Sequence, residues 1–242
     1  MSKFGLLGKK LDHSFSKSFF TAFFEKNEID ATYQNIEVEE LSEWFNGEEI
    51  KTFSGFNVTI PYKTAVMPFL DEISEEARQI GAVNTVKSEN GKLKGYNTDA
   101  FGFQQSIKPF LNNHHERALI LGTGGASKAV AFVLQKIGLN VIYASRNPHY
   151  ADEFAYESIN EHMLKACKMI VNCTPVGTFP DVDAKPDLPT QFITPEHFVA
   201  DLIYNPEKTR LLQEAEAQGA IVMNGHSMLK EQALKAWEIW NS

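Results

Sequence analysis

The chain has 242 residues, 43% hydrophobic and 22% charged, an ordinary globular balance with length for one large domain or two modest ones. A net charge of -8, with lysines and arginines scattered rather than blocked, gives no global attraction for nucleic acid, so an anionic ligand has to be held by local groups. Its 2 cysteines, Cys167 and Cys173, are too few for a disulfide framework and lack zinc spacing; both read as packing residues in a reducing compartment.

The first apolar run, Phe4 to Leu7, suits a short buried strand over Lys3 to Gly8 and is too short for a signal-peptide core. No later run approaches the roughly 20 residues of a membrane span, so the expectation is a cytoplasmic protein with no membrane partner. Phe15, Phe19, Phe20, Phe23 and Phe24 then recur at helical spacing to about Asn27, a stripe that reads as core. A strand near Ala31 to Val38, a short helix with Trp44, a strand carrying Asn57 to Ile60 and a helix opening on Pro61 follow. Asn90-Gly91 between apolar runs predicts a hairpin of Ala82 to Val86 with Lys92 to Gly95.

After a polar stretch at Asn112 to Glu116 the chain restarts with the apolar strand Ala118 to Leu121, a glycine turn and an alanine-rich helix. Strands are expected at Asn140 to Ala144, Met169 to Asn172, Phe198 to Ile203 and Ala220 to Met223, with a proline-rich loop from Thr174 to Pro189. This alternation predicts an α/β protein whose second half is a doubly wound parallel sheet. The final helix, Ser227 to about Trp240, carries Leu229, Ala233, Ala236, Trp237 and Trp240 on one face and is expected to return to the first domain. The domain expectation is residues 1–100 completed by 225–242, and residues 101–224 between them.

Gly122-Thr123-Gly124-Gly125-Ala126-Ser127 follows a strand and opens a helix, where backbone N–H groups approach a pyrophosphate. The alternative is a tight turn with no ligand. About 20 residues beyond the glycines an NAD-binding strand usually ends in an acidic residue; here it ends Tyr143-Ala144-Ser145-Arg146-Asn147. A hydroxyl and a guanidinium there suit a 2′-phosphate, which favours NADP over NAD.

Lys63 closes Gly55-Phe56-Asn57-Val58-Thr59-Ile60-Pro61-Tyr62-Lys63, and Asp99 closes Gly95-Tyr96-Asn97-Thr98-Asp99. Each stretch runs from a strand into a turn, where open α/β sheets place their sites. A lysine beside an alcohol can donate a hydrogen bond and carry a proton during oxidation; an aspartate beside it holds it charged. Sequence leaves open which of the two holds the proton at that step. Ser14 and Ser16, at the turn from strand to helix, offer hydroxyls to a carboxylate, and Ser16 equally suits a helix N-cap. The 7 histidines show no metal-binding spacing, so no metal is expected.

Taken in order, His13-Ser14-Phe15-Ser16, Gly55 to Lys63, Gly81-Ala82-Val83-Asn84-Thr85, Gly95 to Asp99 and the glycine turn, then Asn172-Cys173-Thr174-Pro175-Val176-Gly177, Asp201 to Pro206 with Thr209, and Gly225-His226-Ser227-Met228-Leu229 with Gln232, resemble the shikimate dehydrogenase family along nearly the whole chain. The resemblance implies a substrate domain followed by a Rossmann-like dinucleotide domain. The implied reaction is NADP-dependent interconversion of shikimate and 3-dehydroshikimate in aromatic amino acid (chorismate) biosynthesis, catalysed by Lys63 and Asp99. It implies that Ser14 and Ser16 hold the substrate carboxylate, that Thr59, Lys63, Asn84, Asp99 and Gln232 bind the ring hydroxyls, and that Tyr204 lies near the substrate. Gly122, Gly124, Gly125, Ala126, Ser145, Arg146, Thr174, Gly225 and Met228 are the implied cofactor residues. Relatives that also oxidise quinate or use NAD, and a catalytically silent binding relative, are the alternatives; monomer and homodimer are both open. The chain departs from the family's usual pattern at Lys17, Phe20 and Thr21, at Ser145-Arg146-Asn147 and at Gly177-Thr178.

Overall fold

The apolar run from Phe4 to Leu7 forms the strand expected of it, paired on both sides by parallel strands. The structure, a computed structural model, describes residues 1–11, 15–112 and 114–242. It divides into two units, Met1–Phe101 with Gln232–Ser242, and Gly102–Glu231.

In the first unit the order is β1 (Ser2–Gly8), α1 (Phe15–Lys26), β2 (Ala31–Glu37), α2 (Leu41–Asn46), β3 (Gly55–Val58), α3 (Tyr62–Ala65), β4 (Glu72–Ile73), α4 (Glu75–Ile80), β5 (Thr85–Glu89), β6 (Lys92–Tyr96) and the start of α5 (Asp99–Ile107). Its six strands form one mixed sheet in the order β2-β1-β3-β5-β6-β4. β1 lies parallel between β2 and β3, whereas β5 runs antiparallel to both β3 and β6. The β5–β6 turn has φ of 53° at Asn90 and 75° at Gly91, the pair of positive angles that a tight hairpin needs.

Most of the phenylalanine stripe is core: α1 buries Phe20 and Phe24 against a cluster with Phe4, Tyr33 and Trp240, with Phe19 and Phe23 partly buried at its edge. Phe4 and Trp240 stack with centroids 4.6 Å apart, and the indole N–H donates to the Val86 carbonyl at 2.9 Å. Gly55 is required beside them, since a Cβ there would collide with the indole nitrogen. Burying each such ring contributes about 2 kcal/mol, which fixes the end of the last helix on this unit.

Three local readings differ, the first being the hairpin strand expected at Ala82 to Val86, which runs instead as Thr85–Glu89, up to the Asn90 turn. The helix expected from Pro61 is one turn, α3, with Pro61 as its N-cap. The stretch after it holds β4 and α4, the latter capped by Ser74, whose hydroxyl accepts from the Ala77 N–H at 3.3 Å. Neither is long enough to show a period in sequence.

The second unit contains β7 (Arg117–Leu121), α6 (Gly125–Lys136), β8 (Asn140–Ser145), β9 (Glu153–Ala155), α7 (Glu161–Ala166), β10 (Met169–Asn172), β11 (Phe198–Asp201), α8 (Arg210–Ala217), β12 (Ile221–Met223) and the start of α9 (His226–Trp240). All strands pair in parallel, in the order β12-β11-β10-β7-β8-β9. This is the doubly wound Rossmann-like order, with its reversal between β7 and β10. The central strands are continuous apolar runs because both faces are covered: Leu119, Ile120, Leu121, Met169, Ile170, Val171, Phe198 and Val199 are all fully buried.

The proline-rich stretch is tied to α8: Lys185 and Thr190 both bond the Glu214 carboxylate, and Arg210 donates to the Asp183 carbonyl at 3.2 Å. Among the described residues no helix is long and apolar enough to cross a membrane.

Candidate active site

In the first unit the polar groups collect where strands give way to turns. β3 ends at Val58 and the chain bends through Thr59 into α3, which carries Lys63; the Lys63 carbonyl accepts the Val83 N–H at 2.7 Å, tying this turn to the residues before β5. Lys63 Nζ donates to Asp99 Oδ2 at 2.6 Å, with side-chain exposures of 15% and 8%. Asn84 is clamped beside them. Its Oδ1 accepts the Thr98 N–H at 2.7 Å, which aims its Nδ2 at Asp99 Oδ1, 2.8 Å away. The Thr98 hydroxyl reaches Gln232 Oε1 at 3.3 Å. Lys63, Asn84, Asp99 and Gln232 are thereby brought together.

Asp99 is the first residue of α5, and the cap is made instead by Asn97, whose Oδ1 accepts the Ala100 N–H at 3.1 Å. This frees both Asp99 oxygens for Lys63 and Asn84. Thr59 is half-buried, with its N–H on the Leu7 carbonyl at 2.9 Å. Ser16 stands one residue inside α1 rather than at its N-cap, and it lies near enough to the buried Tyr33 phenol to pull that group's pKa down against the larger rise from burial. Ser14 lies outside the described residues.

Sequence reasoning missed four buried polar neighbours, Tyr33, Asn57, Thr85 and Thr98. Asn57 Nδ2 donates to Thr85 Oγ1 at 3.0 Å, across the β3–β5 pair. Only Asn57 carried a signal, a polar residue between the apolar Phe56 and Val58 of a strand, which a core tolerates only when it is hydrogen-bonded; Tyr33, Thr85 and Thr98 have polar neighbours in sequence.

In the second unit the glycine turn leaves β7 where the strand order reverses, the crevice at which such sheets hold dinucleotides. Gly122 has φ of 95°, and a Cβ on it would stand 2.9 Å from Thr174 Cγ2, so the turn and the loop after β10 close on each other. Gly124, the N-cap of α6, faces open space: a Cβ there meets nothing within 4 Å. Backbone N–H groups of Gly125 and Ala126 follow in the first turn of α6. Ser127, at the third position of the fingerprint, is buried and donates back to the Gly124 carbonyl at 2.6 Å.

Ser145 closes β8, the strand next to β7, and its Oγ accepts the Asn147 N–H at 3.2 Å. Arg146 is exposed, near the Tyr156 phenol, whose pKa is pushed up by burial and pulled down by that guanidinium. The open glycine, the helix start and the exposed guanidinium fit a phosphorylated dinucleotide.

Thr174 is positioned by Asn172, whose Oδ1 takes both its N–H (3.0 Å) and its hydroxyl (2.7 Å); Asn172 in turn donates to Asp201 at 3.0 Å. Burial pushes the Asp201 carboxyl up to about 6, against the pull of bonds from Thr209, the Ile203 N–H and Asn172. Tyr204, just past β11, is half-exposed with its phenol pushed up by burial. Gly225 packs on the backbone of Leu202, and Met228 is buried. Among the described residues no cluster of histidine, cysteine, aspartate and glutamate could hold a metal ion.

A sequence profile of the shikimate dehydrogenase substrate binding domain matches residues 6–86. Over 98% of this chain and 88% of the relative, the sequence is 39% identical to the NADP(+) shikimate dehydrogenase of Desulforamulus reducens. The chain belongs to the shikimate dehydrogenase family.

Solved shikimate dehydrogenases share the fold. That of Aquifex aeolicus is 35% identical with a TM-score of 0.89, covering 99% of this chain and 92% of its own. That of Thermus thermophilus, in complex with NADP(H) and shikimate, is 36% identical with a TM-score of 0.87, covering 99% and 93%. Where shikimate dehydrogenases often carry Gly-Met, the present Gly177 has φ of 98° and the Thr178 hydroxyl donates to the Asn205 carbonyl at 3.2 Å, so the departure is absorbed locally.

Proposed function

We propose that the protein is an NADP-dependent shikimate dehydrogenase that interconverts shikimate and 3-dehydroshikimate. The observation that carries the reading is the Lys63–Asp99 pair, held at 2.6 Å with Asn84 and Gln232 around it. Family membership, and the Thermus thermophilus relative's complex with NADP(H) and shikimate, support the same reaction.

Oxidation of a ring alcohol to a ketone breaks one C–H and one O–H bond. The bound dinucleotide supplies the two-electron acceptor. The Lys63–Asp99 pair takes up the hydroxyl proton in oxidation and returns it to the ketone oxygen in reduction: Lys63 Nζ hydrogen-bonds the alcohol oxygen, and the Asp99 carboxylate holds Nζ in place through one oxygen while Asn84 bonds the other. Asn84, Gln232 and Thr59 orient the ring hydroxyls, and Ser16 with Ser14 receives the ring carboxylate. In this reading Tyr204 serves the substrate, and Gly225 and Met228 serve the nicotinamide. Arg146 and Ser145 take the 2′-phosphate, with Gly122, Gly124, Gly125, Ala126 and Thr174 around the pyrophosphate.

The deciding experiment follows nicotinamide reduction by near-ultraviolet absorbance with shikimate, then quinate, each with NADP⁺ and NAD⁺. Turnover with shikimate and NADP⁺ is expected. Preference for quinate or NAD⁺ would keep the chemistry and overturn the specificity, while folded protein without turnover would leave a silent binder.

A further inference from the structure

β10 and β11 end side by side: Asn172 and Asp201 are register partners and the last residues of these two parallel strands, β10 flanking the reversal in strand order. The ladder runs one residue further, with the Cys173 N–H on the Leu121 carbonyl at 2.9 Å and the Leu202 N–H on the Asn172 carbonyl at 3.0 Å. The next amide on each strand turns to a side chain instead. The Thr174 N–H donates to Asn172 Oδ1 and the Ile203 N–H to Asp201 Oδ1, both at 3.0 Å. Each polar side chain thus bends its own backbone two residues on, and Asn172 Nδ2, donating to Asp201 Oδ1 at 3.0 Å, ties the two bends together.

The donor in each link is fixed by chemistry. A backbone N–H can only donate, so Asn172 turns its oxygen to Thr174 and its nitrogen to Asp201. Asp201 accepts there, and its second oxygen accepts the Thr209 hydroxyl at 2.7 Å, while Thr209 Oγ1 caps α8 by accepting the Leu212 N–H at 3.4 Å. Asn172 and Asp201 are fully buried and Thr209 nearly so, so removing one of them leaves a buried group unpaired, the costly case.

Both bends support segments of the second unit's site. The first carries Thr174, whose Cγ2 would stand 2.9 Å from a Cβ on Gly122 and whose hydroxyl donates to Asn172 Oδ1 at 2.7 Å. The second carries Leu202 and Ile203, on which Gly225 rests: its N–H donates to the Ile203 carbonyl at 3.0 Å, and the Leu202 carbonyl leaves no room for a Cβ. We propose that Asn172 and Asp201 are positioning residues for the dinucleotide, holding the Thr174 and Gly225 segments in the arrangement that NADP binds, with no part in the chemical step. This rests on the reading of Thr174 and Gly225 as cofactor residues.

The test measures NADP⁺ affinity by titration calorimetry without substrate, then steady-state kinetics with shikimate, in wild type, Asn172→Ala, Thr209→Val and Thr209→Ser. Asn172→Ala is expected to bind NADP⁺ about tenfold more weakly, since it strands the Thr174 donors and unpairs a charged oxygen of Asp201. Its kcat at saturating NADP⁺ and its shikimate KM should stay close to wild type. Thr209→Val should show the same weakening in smaller measure, and Thr209→Ser, which keeps the hydroxyl, should bind NADP⁺ as wild type does. Unchanged NADP⁺ affinity in Asn172→Ala overturns the proposal, as do equal losses in the two Thr209 variants. A joint fall in kcat, shikimate KM and NADP⁺ affinity assigns the pair a purely architectural part and overturns it too. If Asn172→Ala does not fold, the Thr209 pair makes the same comparison. Wild-type protein that binds no NADP⁺ defeats the proposed function itself, an outcome distinct from variants that bind it as tightly as wild type.

Discussion

Lys63 and Asp99 meet at 2.6 Å, and the second Asp99 oxygen is taken by Asn84 at 2.8 Å, so the lysine is held against a carboxylate that has no freedom to turn away. In the proposed reaction Lys63→Ala removes the proton carrier but leaves Asn84 and Gln232 to orient the ring. The expected result is a fall in kcat of about a hundredfold or more, with a much smaller change in shikimate KM. Steady-state kinetics on protein shown to be folded by circular dichroism measures both. A normal kcat would remove Lys63 from the chemistry.

Arg146 stands at the end of β8, exposed, beside the strand that leads to the glycine turn. Only NADP carries the 2′-phosphate that a guanidinium there would grip. Arg146→Ala should therefore weaken NADP by tenfold or more and leave NAD nearly unchanged, since a hydrogen-bonded charge pair is worth about 1.5–3 kcal/mol. Titration calorimetry with each cofactor reads the two affinities directly, and equal losses would assign Arg146 a structural part instead.

Long elements with one clear period were legible in the sequence. Met169–Asn172 agrees at both ends, and α9 begins one residue from the expected Ser227, because apolar runs and the tryptophan-rich face reflect burial directly. The Asn90-Gly91 turn was legible for a local steric reason, that both positions have positive φ. β4, β9, α4 and α7 were not, being two to six residues long and stabilised by neighbours rather than by their own pattern. At the site, Lys63 and Asp99 stood out as polar ends of strands, whereas Tyr33 and Thr85 did not. Tyr33 looks like core in sequence, and its hydroxyl finds a partner only because the sheet order places Asn57 two strands away.

Two glycines separate stability from binding. A Cβ on Gly225 would overlap the Leu202 carbonyl oxygen, a backbone atom that cannot swing aside, whereas one on Gly124 meets nothing within 4 Å. Gly225→Ala should cost about 1–3 kcal/mol, the usual range for overpacking, seen as a lower thermal midpoint. Gly124→Ala should leave that midpoint unchanged and weaken NADP, because its methyl group fills the space at the start of α6. Thermal unfolding with and without NADP distinguishes the two, and an equal loss of stability in both variants would contradict the assignment.

Asp201 gives the pH prediction. Its carboxyl is pushed up to about 6 by burial, from 3.8, so the native protein binds this proton more tightly than the unfolded chain does. Between about pH 4 and pH 6 the native state therefore holds more of the proton, and the stability due to this group falls as pH rises through that window, by roughly 3 kcal/mol at most, and is flat above it. Asp201→Asn removes the titration along with some of the bonds to Thr209 and the Ile203 N–H. Measured by urea unfolding, the wild-type advantage over Asp201→Asn should be largest near pH 4 and shrink toward pH 6.5. If the advantage grows with pH instead, the bonds from Thr209, Ile203 and Asn172 outweigh burial, and the Asp201 carboxylate is a stabilising charge at the base of the Thr174 loop.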